Sequence, residues 1–247
     1  MSPSAPVNAV IAVDGPAGAG KSTVAQRLAE RLGGVRLDTG ALYRTVALVA
    51  QEQGISWEDG SSLGSLAGGL AVRFLPDAGG QRVMVDDRDI TTEIRTPEVT
   101  RGASRVSRHA LVRAALLSLQ RGLAAEGLVV AEGRDMGTAV FPDAPVKFFL
   151  TASAEVRAHR RWLELRDGGA DLAFQEVLTD QLQRDRDDSQ RAESPLRQAP
   201  GALVVDATDL DIDQVVDHMA LVARAALDAV DAPDAVDTVD APDAVDP

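Results

Sequence analysis

A run of glycines that ends in a lysine and a serine carries the strongest chemical signal in this chain. The run is Gly15-Pro16-Ala17-Gly18-Ala19-Gly20-Lys21-Ser22, which fits the pattern G-x-x-x-x-G-K-[ST] of a phosphate-binding P-loop. In such a loop the backbone N–H groups converge on phosphate oxygens, and the lysine reaches the β- and γ-phosphates. The serine hydroxyl is placed to hold Mg²⁺. The run therefore predicts binding of a nucleoside triphosphate with Mg²⁺.

The choice of lysine at position 21 is itself informative. Lys21 and Lys147 are the two lysines of the chain, and the other permanently positive side chains are arginines. A compact ammonium suits a transferred phosphoryl group, whereas the planar guanidinium of arginine suits bidentate contacts to phosphate oxygens. We therefore expect one lysine at the transferred group and arginines around any second phosphate.

The elements beside the glycine run are those that a P-loop needs. Residues 9–13 form a short apolar, β-branched stretch that predicts a buried parallel strand, and residues 23–32 have the apolar spacing of a helix. A helix that begins at the loop favours negative charge at its N-terminus. A chance glycine turn would lack both flanking elements, so we interpret the run as functional.

Strands and helices alternate along the rest of the chain. This alternation predicts a five-stranded parallel sheet covered by helices on both faces, an α/β fold of three layers. Further strands are predicted at 35–37, 128–131, 146–150 and 202–206, and helices at 41–53, 98–126, 153–167, 171–190 and 212–228. Ligands bind at the carboxyl ends of such strands. Four acidic residues fall at strand ends: Asp14, Asp38, Glu132 and Asp135.

Residues 60–98 have a different sequence pattern from the alternating strands and helices. The glycines and serines of 60–69 predict a loop, and the stretches 70–75 and 82–85 predict a β-hairpin with its turn at 76–80. A third short strand is expected near 89–91. We therefore predict a small antiparallel insertion in the α/β chain.

Composition excludes several classes of protein. The chain has no cysteine, so disulfides, zinc–thiolate sites and thiol nucleophiles are excluded. No apolar run reaches about 18 residues, and the N-terminus lacks the features of a secretory signal, so we expect a cytoplasmic protein without a membrane partner. The three histidines lie in no motif and are expected to be structural or surface residues: His109, His159 and His218.

The net charge of −13 is concentrated at the C-terminus. An aspartate recurs at every third position from Asp228 to Asp246, and the segment 230–237 is repeated at 239–246. Such a repeat cannot form a core, so we predict a disordered acidic tail over 228–247. We interpret this tail as a passive extension rather than as a segment that binds a partner. An acidic chain with 3% aromatic residues also predicts no nucleic-acid partner.

Later motifs show what the nucleotide is used for. The chain resembles bacterial cytidylate kinases over roughly residues 8–225. The resemblance rests on the order and spacing of the P-loop and the segments 38–44 (DTGALYR), 132–138 (EGRDMGT) and 141–145 (FPDAP). The predicted hairpin and residues 93–97 also resemble that family. The resemblance implies a P-loop kinase domain at 7–227 that transfers phosphate from ATP to CMP or dCMP. It further implies a monophosphate-binding insertion at about 62–98, a helical lid at about 155–172 and a monomer.

The resemblance also assigns residues. Catalytic roles are implied for Lys21, Arg134, Arg184 and Arg191. ATP binding is implied for the P-loop from Gly15 to Ser22, with Thr23, Arg157 and Arg161; Arg160 belongs to the same lid, and Ser22 is the metal ligand. CMP binding is implied for Thr39, Arg44, Ser104, Arg113, Arg134, Asp135, Arg184, Asp188 and Arg191. Of these, the resemblance gives Ser104, Arg113 and Asp135 to the base, Arg184 and Asp188 to the ribose hydroxyls, and Arg44, Arg134 and Arg191 to the phosphate.

Helical geometry tests part of this assignment. Ser104 and Arg113 are nine positions apart, which places them on opposite sides of one continuous helix. If both contact the base, the helix must break, and we predict a break at 106–109 with Ser107 as the N-cap of the second helix.

Some assignments have simpler alternatives. Arg184, Asp188 and Arg191 share one helical face and could form a solvated ladder of ion pairs. Arg44 and Arg134 could form surface ion pairs, but their positions after strand ends favour anion binding. No apolar strand ends in a clear Walker-B aspartate, so Mg²⁺ is expected on Ser22, phosphate oxygens and water.

Two other classes of function remain open from the residues. One is another small P-loop kinase, acting on adenylate, shikimate or dephospho-coenzyme A, against which the 38–44 and 132–138 motifs and the hairpin argue. The other is a GTPase switch or a nucleic-acid motor. Neither lysine lies in a guanine-binding motif, and a basic track is absent from the sequence.

Overall fold

The computed structural model describes residues 8–77 and 80–231. Its strands are β1 (Ala9–Asp14), β2 (Val35–Asp38), β3 (Val72–Asp77), β4 (Gly80–Val85), β5 (Arg88–Asp89), β6 (Leu128–Gly133), β7 (Val146–Thr151) and β8 (Leu203–Asp206). Its α-helices are α1 (Lys21–Leu32), α2 (Thr39–Glu52), α3 (Gly60–Gly69), α4 (Pro97–Val106), α5 (Ala110–Gly122), α6 (Ala154–Asp167), α7 (Phe174–Gln190) and α8 (Ile212–Asp231). A 3-10 turn covers Glu93–Arg95, and a π-helical turn covers Met136–Val140.

The central sheet confirms the predicted α/β fold. Five parallel strands lie in the order β2-β6-β1-β7-β8, and β1 is paired on both sides. Strand β6 is buried along nearly its whole length, which explains why its sequence is an apolar run rather than an alternating one. The carboxyl ends of these strands meet at one edge, where Asp14, Asp38 and Glu132 lie.

Helices cover both faces of this sheet. On one face α1 and α8 pack against β1, β6 and β7 around Leu28, Phe148 and Met219. On the other face Leu117 of α5 and Met136 of the π-helical turn pack on residues of β1 and β6. The three predicted layers are therefore present.

The insertion has a core of its own and corrects one prediction. Strands β3, β4 and β5 form the expected antiparallel sheet, but residues 60–69 form helix α3 rather than a loop. Asp59 caps this helix by accepting from the Ser62 N–H at 3.1 Å. A Cβ at Gly64 would lie 2.6 Å from Cβ of Leu111, so glycine allows α3 to approach α5 closely. Packing thus outweighs the low helix propensity of glycine.

The predicted helix break is confirmed, although its cap is not. Helix α4 ends at Val106 and α5 begins at Ala110. Ser107 is the C-cap of α4, where its hydroxyl donates to the Ser104 carbonyl at 3.0 Å, and the residue that precedes α5 is His109. The hydroxyl bonds backwards because Ser107 still has helical backbone angles, φ −70° and ψ −9°.

Helix α8 continues to Asp231, so residues 228–231 are helical rather than part of the predicted tail. The rest of that tail, 232–247, and the centre of the hairpin turn, 78–79, lie outside the described residues. Among the described helices, none is long and apolar enough to cross a membrane.

Candidate active site

The glycines of the P-loop are required by its backbone. Gly15 has φ 153°, and a Cβ there would lie 1.9 Å from the Leu150 carbonyl oxygen. Gly18 and Gly20 have φ of 71° and 90°, in the left-handed region that favours glycine. Gly20 is the N-cap of α1, which begins at Lys21. The loop therefore turns into a helix N-terminus, which is the arrangement that binds phosphate.

Lys21 is buried and folded back onto its own loop. Its Nζ donates to the Pro16 carbonyl at 2.7 Å. Burial, followed by the positive charge of Arg134, lowers the pKa of Lys21 well below its ordinary value. A phosphate bound in the loop would give the Lys21 ammonium a negatively charged partner in place of the neutral Pro16 carbonyl. The ammonium therefore favours an anion beside it.

Ser22 begins a chain of polar contacts along the strand ends. Its hydroxyl donates to Oε2 of Glu132 at 2.9 Å, and Oε1 of Glu132 lies 3.1 Å from Nε of Arg36. Burial, followed by the negative charge of Asp38, raises the pKa of Glu132. A buried carboxylate thus lies directly beside the predicted metal ligand.

Arg157 lies behind the P-loop rather than in front of it. Its guanidinium donates to the Ala17 carbonyl at 3.1 Å and to Asp185 at 2.7 Å, and Nε donates to the Ala152 carbonyl. Gln181 donates to the same Ala17 carbonyl at 2.6 Å. Arg157 therefore supports the loop from α6, and its contact with ATP stays a prediction.

A cleft of about 940 Å³ lies between the P-loop, the insertion and helices α6 and α7. It brings together every residue predicted to bind CMP, which are Thr39, Arg44, Ser104, Arg113, Arg134, Asp135, Arg184, Asp188 and Arg191. From the predicted ATP set it is lined by Ala17, Gly18, Gly20, Lys21, Ser22, Thr23 and Arg161. Arg160 also lines it. Residues predicted from the P-loop, the strand ends, the helix break and the 184–191 helix therefore line one cleft.

Partly buried arginines line one half of this cleft. Arg134 donates to Asp188 at 2.8 Å, and Arg44 donates to Asp38 at 2.8 Å. Among the residues that the structure describes, no hydrogen-bond partner is found for the buried Nε atoms of Arg44 and Arg184 or for Nη2 of Arg191. Buried donors without partners cost free energy, and the oxygens of an anion bound in this half of the cleft would remove that cost.

The positive charge of Arg184 is balanced least by neighbouring negative charge among these arginines. Burial, followed by the positive charge of Arg134, lowers the pKa of Arg184 from 12.5 to about 10. Asp188 is paired with Arg134, from the segment after β6, and it is buried. The 184–191 face is therefore part of a buried cluster and not a solvated ladder.

A different set of groups lies beside the α4–α5 break. Arg113 is hydrogen-bonded to the buried carboxylate of Asp135, and its guanidinium lies 5.4 Å from the ring centre of Tyr43. Ser104 also lines the cleft. A carboxylate, a guanidinium and a hydroxyl can together read the amine, ring nitrogen and carbonyl of one base edge.

Sequence reasoning missed Arg36 and gave no role to Glu132. The side chain of Arg36 is 10% exposed and bridges Asp38, at 3.1 Å, to Glu132. An arginine in a predicted apolar strand, two residues before a strand-end aspartate, is a usable signal, because a buried cation needs an acidic partner.

Comparison with known proteins agrees with this geometry. The family model described as cytidylate kinase matches residues 11–225. The cytidylate kinase of Exiguobacterium sibiricum is 49% identical over 88% of this chain and 97% of its own length. Those of Geobacter sulfurreducens and Klebsiella pneumoniae are each 46% identical, over 87% and 88% of this chain and 92% and 96% of their own lengths. This chain therefore belongs to the cytidylate kinase family.

Proposed function

We propose that the protein transfers the γ-phosphoryl group of ATP to the phosphate of CMP or dCMP. The observation that carries this proposal is that one cleft is lined both by the P-loop with Lys21 and by a group of arginines. We take the P-loop as one phosphate site and the arginine donors, for which the described residues supply no hydrogen-bond partner, as the other. A site that only hydrolysed a nucleotide would not need the second set of cations.

The chemistry requires positioning and charge neutralisation rather than a strong base. A bond forms between the γ-phosphorus and an acceptor phosphate oxygen while the bond to the β–γ bridging oxygen breaks, which gives ADP and CDP. Lys21 and Arg184 face the transferred group, and Arg44, Arg134 and Arg191 hold the acceptor phosphate. Charge that develops in a buried site is stabilised strongly by such preorganised donors.

The donor set beside the P-loop fits Mg²⁺. The Ser22 hydroxyl and the Glu132 carboxylate offer hard oxygen ligands, and among the described residues Oε1 of Glu132 has the ion pair with Arg36 but no hydrogen bond. Within the described residues no group of three or more His, Cys, Asp or Glu side chains could hold a metal. Mg²⁺ keeps several waters and neutralises phosphate charge when bound, so a few protein oxygens suffice.

Base recognition is assigned to Asp135, Arg113 and Ser104. Replacing Asp135 by alanine should reduce the ratio of kcat/KM for CMP to that for UMP by about ten- to a hundredfold, since a missing hydrogen bond to a base edge is worth about 1–3 kcal/mol. The KM for ATP is the internal control and should change little. A variant that discriminates as well as the wild type would remove Asp135 from base recognition.

The acceptor itself is tested by consumption of ATP in the presence of CMP, dCMP, UMP, AMP or no acceptor. We expect turnover with CMP and dCMP that greatly exceeds the acceptor-free rate. Robust use of AMP or of a non-nucleotide acceptor, with negligible use of CMP, would indicate another small P-loop kinase. Fast hydrolysis without any acceptor would indicate a switch or a motor.

Three properties of the molecule complete the proposal. We expect a monomer in the cytoplasm, and the acidic composition argues against a nucleic-acid partner. Arg161 and Arg160, which line the cleft, are the lid residues that we expect to contact ATP.

A further inference from the structure

Asp14 has a pair of contacts that the proposed reaction does not yet use. It ends β1, is 2% exposed, and accepts two hydrogen bonds from consecutive backbone N–H groups. Oδ1 accepts from Met136 and Oδ2 accepts from Gly137, each at 2.8 Å. A buried carboxylate is costly, so one that serves only backbone groups 122 and 123 residues away calls for a reason.

The two N–H groups belong to the segment that carries acceptor-binding residues. They follow Arg134 and Asp135 directly and begin the π-helical turn at 136–140. The first N–H groups of a helical turn have no partner within the turn, so Asp14 satisfies them from another strand. Because Asp135 faces the base and Arg134 faces the acceptor phosphate, the position of this backbone sets both contacts.

The other side of Asp14 is the P-loop. Gly15 follows it at once and is packed so tightly that a Cβ would meet the Leu150 carbonyl oxygen on β7. Asp14 therefore has little freedom to move along the sheet. One carboxylate connects the start of the donor loop to the start of the acceptor segment.

We propose that Asp14 is a positioning residue for the acceptor: its ionised carboxylate fixes the segment that carries Arg134 and Asp135 relative to the P-loop, and its protonation loosens that segment. This inference rests on the proposed function, because it concerns the distance between the two phosphates of that reaction. A neutral carboxyl cannot accept from both N–H groups through two unprotonated oxygens, so one hydrogen bond is lost.

The charge of Asp14 can change near neutral pH. Burial raises its pKa from 3.8 to about 6, although the N–H groups of Gly137 and Met136 act in the opposite direction. The charged groups around it are Asp135, which raises the pKa, Lys21 on α1, which lowers it, and Lys147 on β7, whose side chain lies against Gly137. The carboxylate is thus present above about pH 6 and is lost as pH falls through that value.

The test compares wild type with Asp14→Asn from pH 5 to pH 8. The acceptor phosphate itself titrates near pH 6, so the ratio of kcat/KM for CMP between the two proteins is used, in which the substrate cancels. At pH 8 we expect kcat/KM for CMP to be about ten- to a hundredfold higher in the wild type than in Asp14→Asn. This factor corresponds to the free energy of a hydrogen bond to a charged group. The advantage should fall towards one at pH 5, where wild-type Asp14 is also neutral. A ratio that is the same at every pH, or a ratio of one throughout, would overturn the proposal.

Stability separates positioning from a purely structural role. Because the folded pKa is raised, the folded protein loses stability as pH rises from about 4 to about 6 and the buried carboxylate ionises. Asp14→Asn should therefore keep or raise the Tm at pH 8 while it loses activity. Asp206→Asn is the matched control, since Asp206 also ends a parallel strand and accepts from the N–H and hydroxyl of Thr208, and its kcat/KM should be unchanged at every pH. A lower Tm with a proportional loss in the amount of active protein would contradict the positioning role.

A measurement on the wild type needs neither a variant nor a substrate. In NMR spectra of the unliganded protein, the amide protons of Met136 and Gly137 should titrate together with a midpoint near pH 6, because each is bonded to the same carboxylate. Amide shifts that stay constant from pH 4 to pH 8 would refute the proposal even if CMP is the acceptor. If CMP is not the acceptor, a shared midpoint near 6 would still support the link between the two loops.

Discussion

Replacing Lys21 by methionine should lower kcat by about a hundred- to a thousandfold while the KM for CMP changes only a few-fold. Removing one preorganised donor from a developing anion costs about this much. Lys21 contacts the Pro16 carbonyl in the unliganded cleft, and burial already lowers its pKa, so an apolar side chain of similar length should leave the fold intact. Steady-state kinetics with both substrates varied will separate kcat from the two KM values.

Arg31→Met is the matched control, because it removes a half-exposed cation from the other end of helix α1, outside the cleft. Its kcat should stay within about twofold of the wild-type value, the scale of effect expected for a substitution away from the chemistry. A Lys21→Met protein with nearly normal kcat and a raised KM for ATP would mean that Lys21 contributes to ground-state binding only.

Replacing Arg184 by methionine should have opposite effects on activity and stability. The kcat/KM for CMP should fall by about a hundredfold or more, because a buried arginine that faces a transferred phosphoryl group is worth at least that in kinases and related enzymes. The Tm of the unliganded protein should rise by about 2–4 °C for each kcal/mol released. The physical reason is that burial and Arg134 make the charge of Arg184 unfavourable in the empty cleft.

Arg134→Met provides the contrast. Arg134 neutralises Asp188 at 2.8 Å, and its loss would leave a buried carboxylate without that partner. We expect a comparable loss of kcat/KM for CMP but a Tm lowered by several degrees, since breaking a buried pair is destabilising. Tm values that fall equally in both variants would contradict the view that Arg184 is held ready for a phosphate.

The residues that could be predicted from the sequence are those whose signal is local. Gly15, Gly18 and Gly20 are fixed by backbone geometry, and the parallel strands are fixed by short apolar runs between helices. The break between α4 and α5 follows from the angle between Ser104 and Arg113 once the resemblance assigns both residues to one base. Apart from that assignment, these inferences use only spacing along the chain, and the fold keeps that spacing.

The features that could not be predicted depend on contacts between distant segments. Helix α3 exists because Gly64 lets it approach Leu111, and nothing within 60–69 reveals that partner. The resemblance assigns Arg157 to the ATP lid, and nothing near it in the sequence reveals its contacts with the Ala17 carbonyl and Asp185. Likewise, the ion pair of Arg36 with Glu132 joins residues on two strands that are adjacent only in the sheet.

The central claim is that one cleft holds two phosphates and passes a phosphoryl group between them. It is tested most directly by ³¹P NMR of the protein with ATP, Mg²⁺ and CMP. The account predicts that ADP and CDP appear in equal amounts, that inorganic phosphate does not accumulate, and that omitting CMP stops the consumption of ATP. Inorganic phosphate formed in step with ADP, without any CDP, would contradict it.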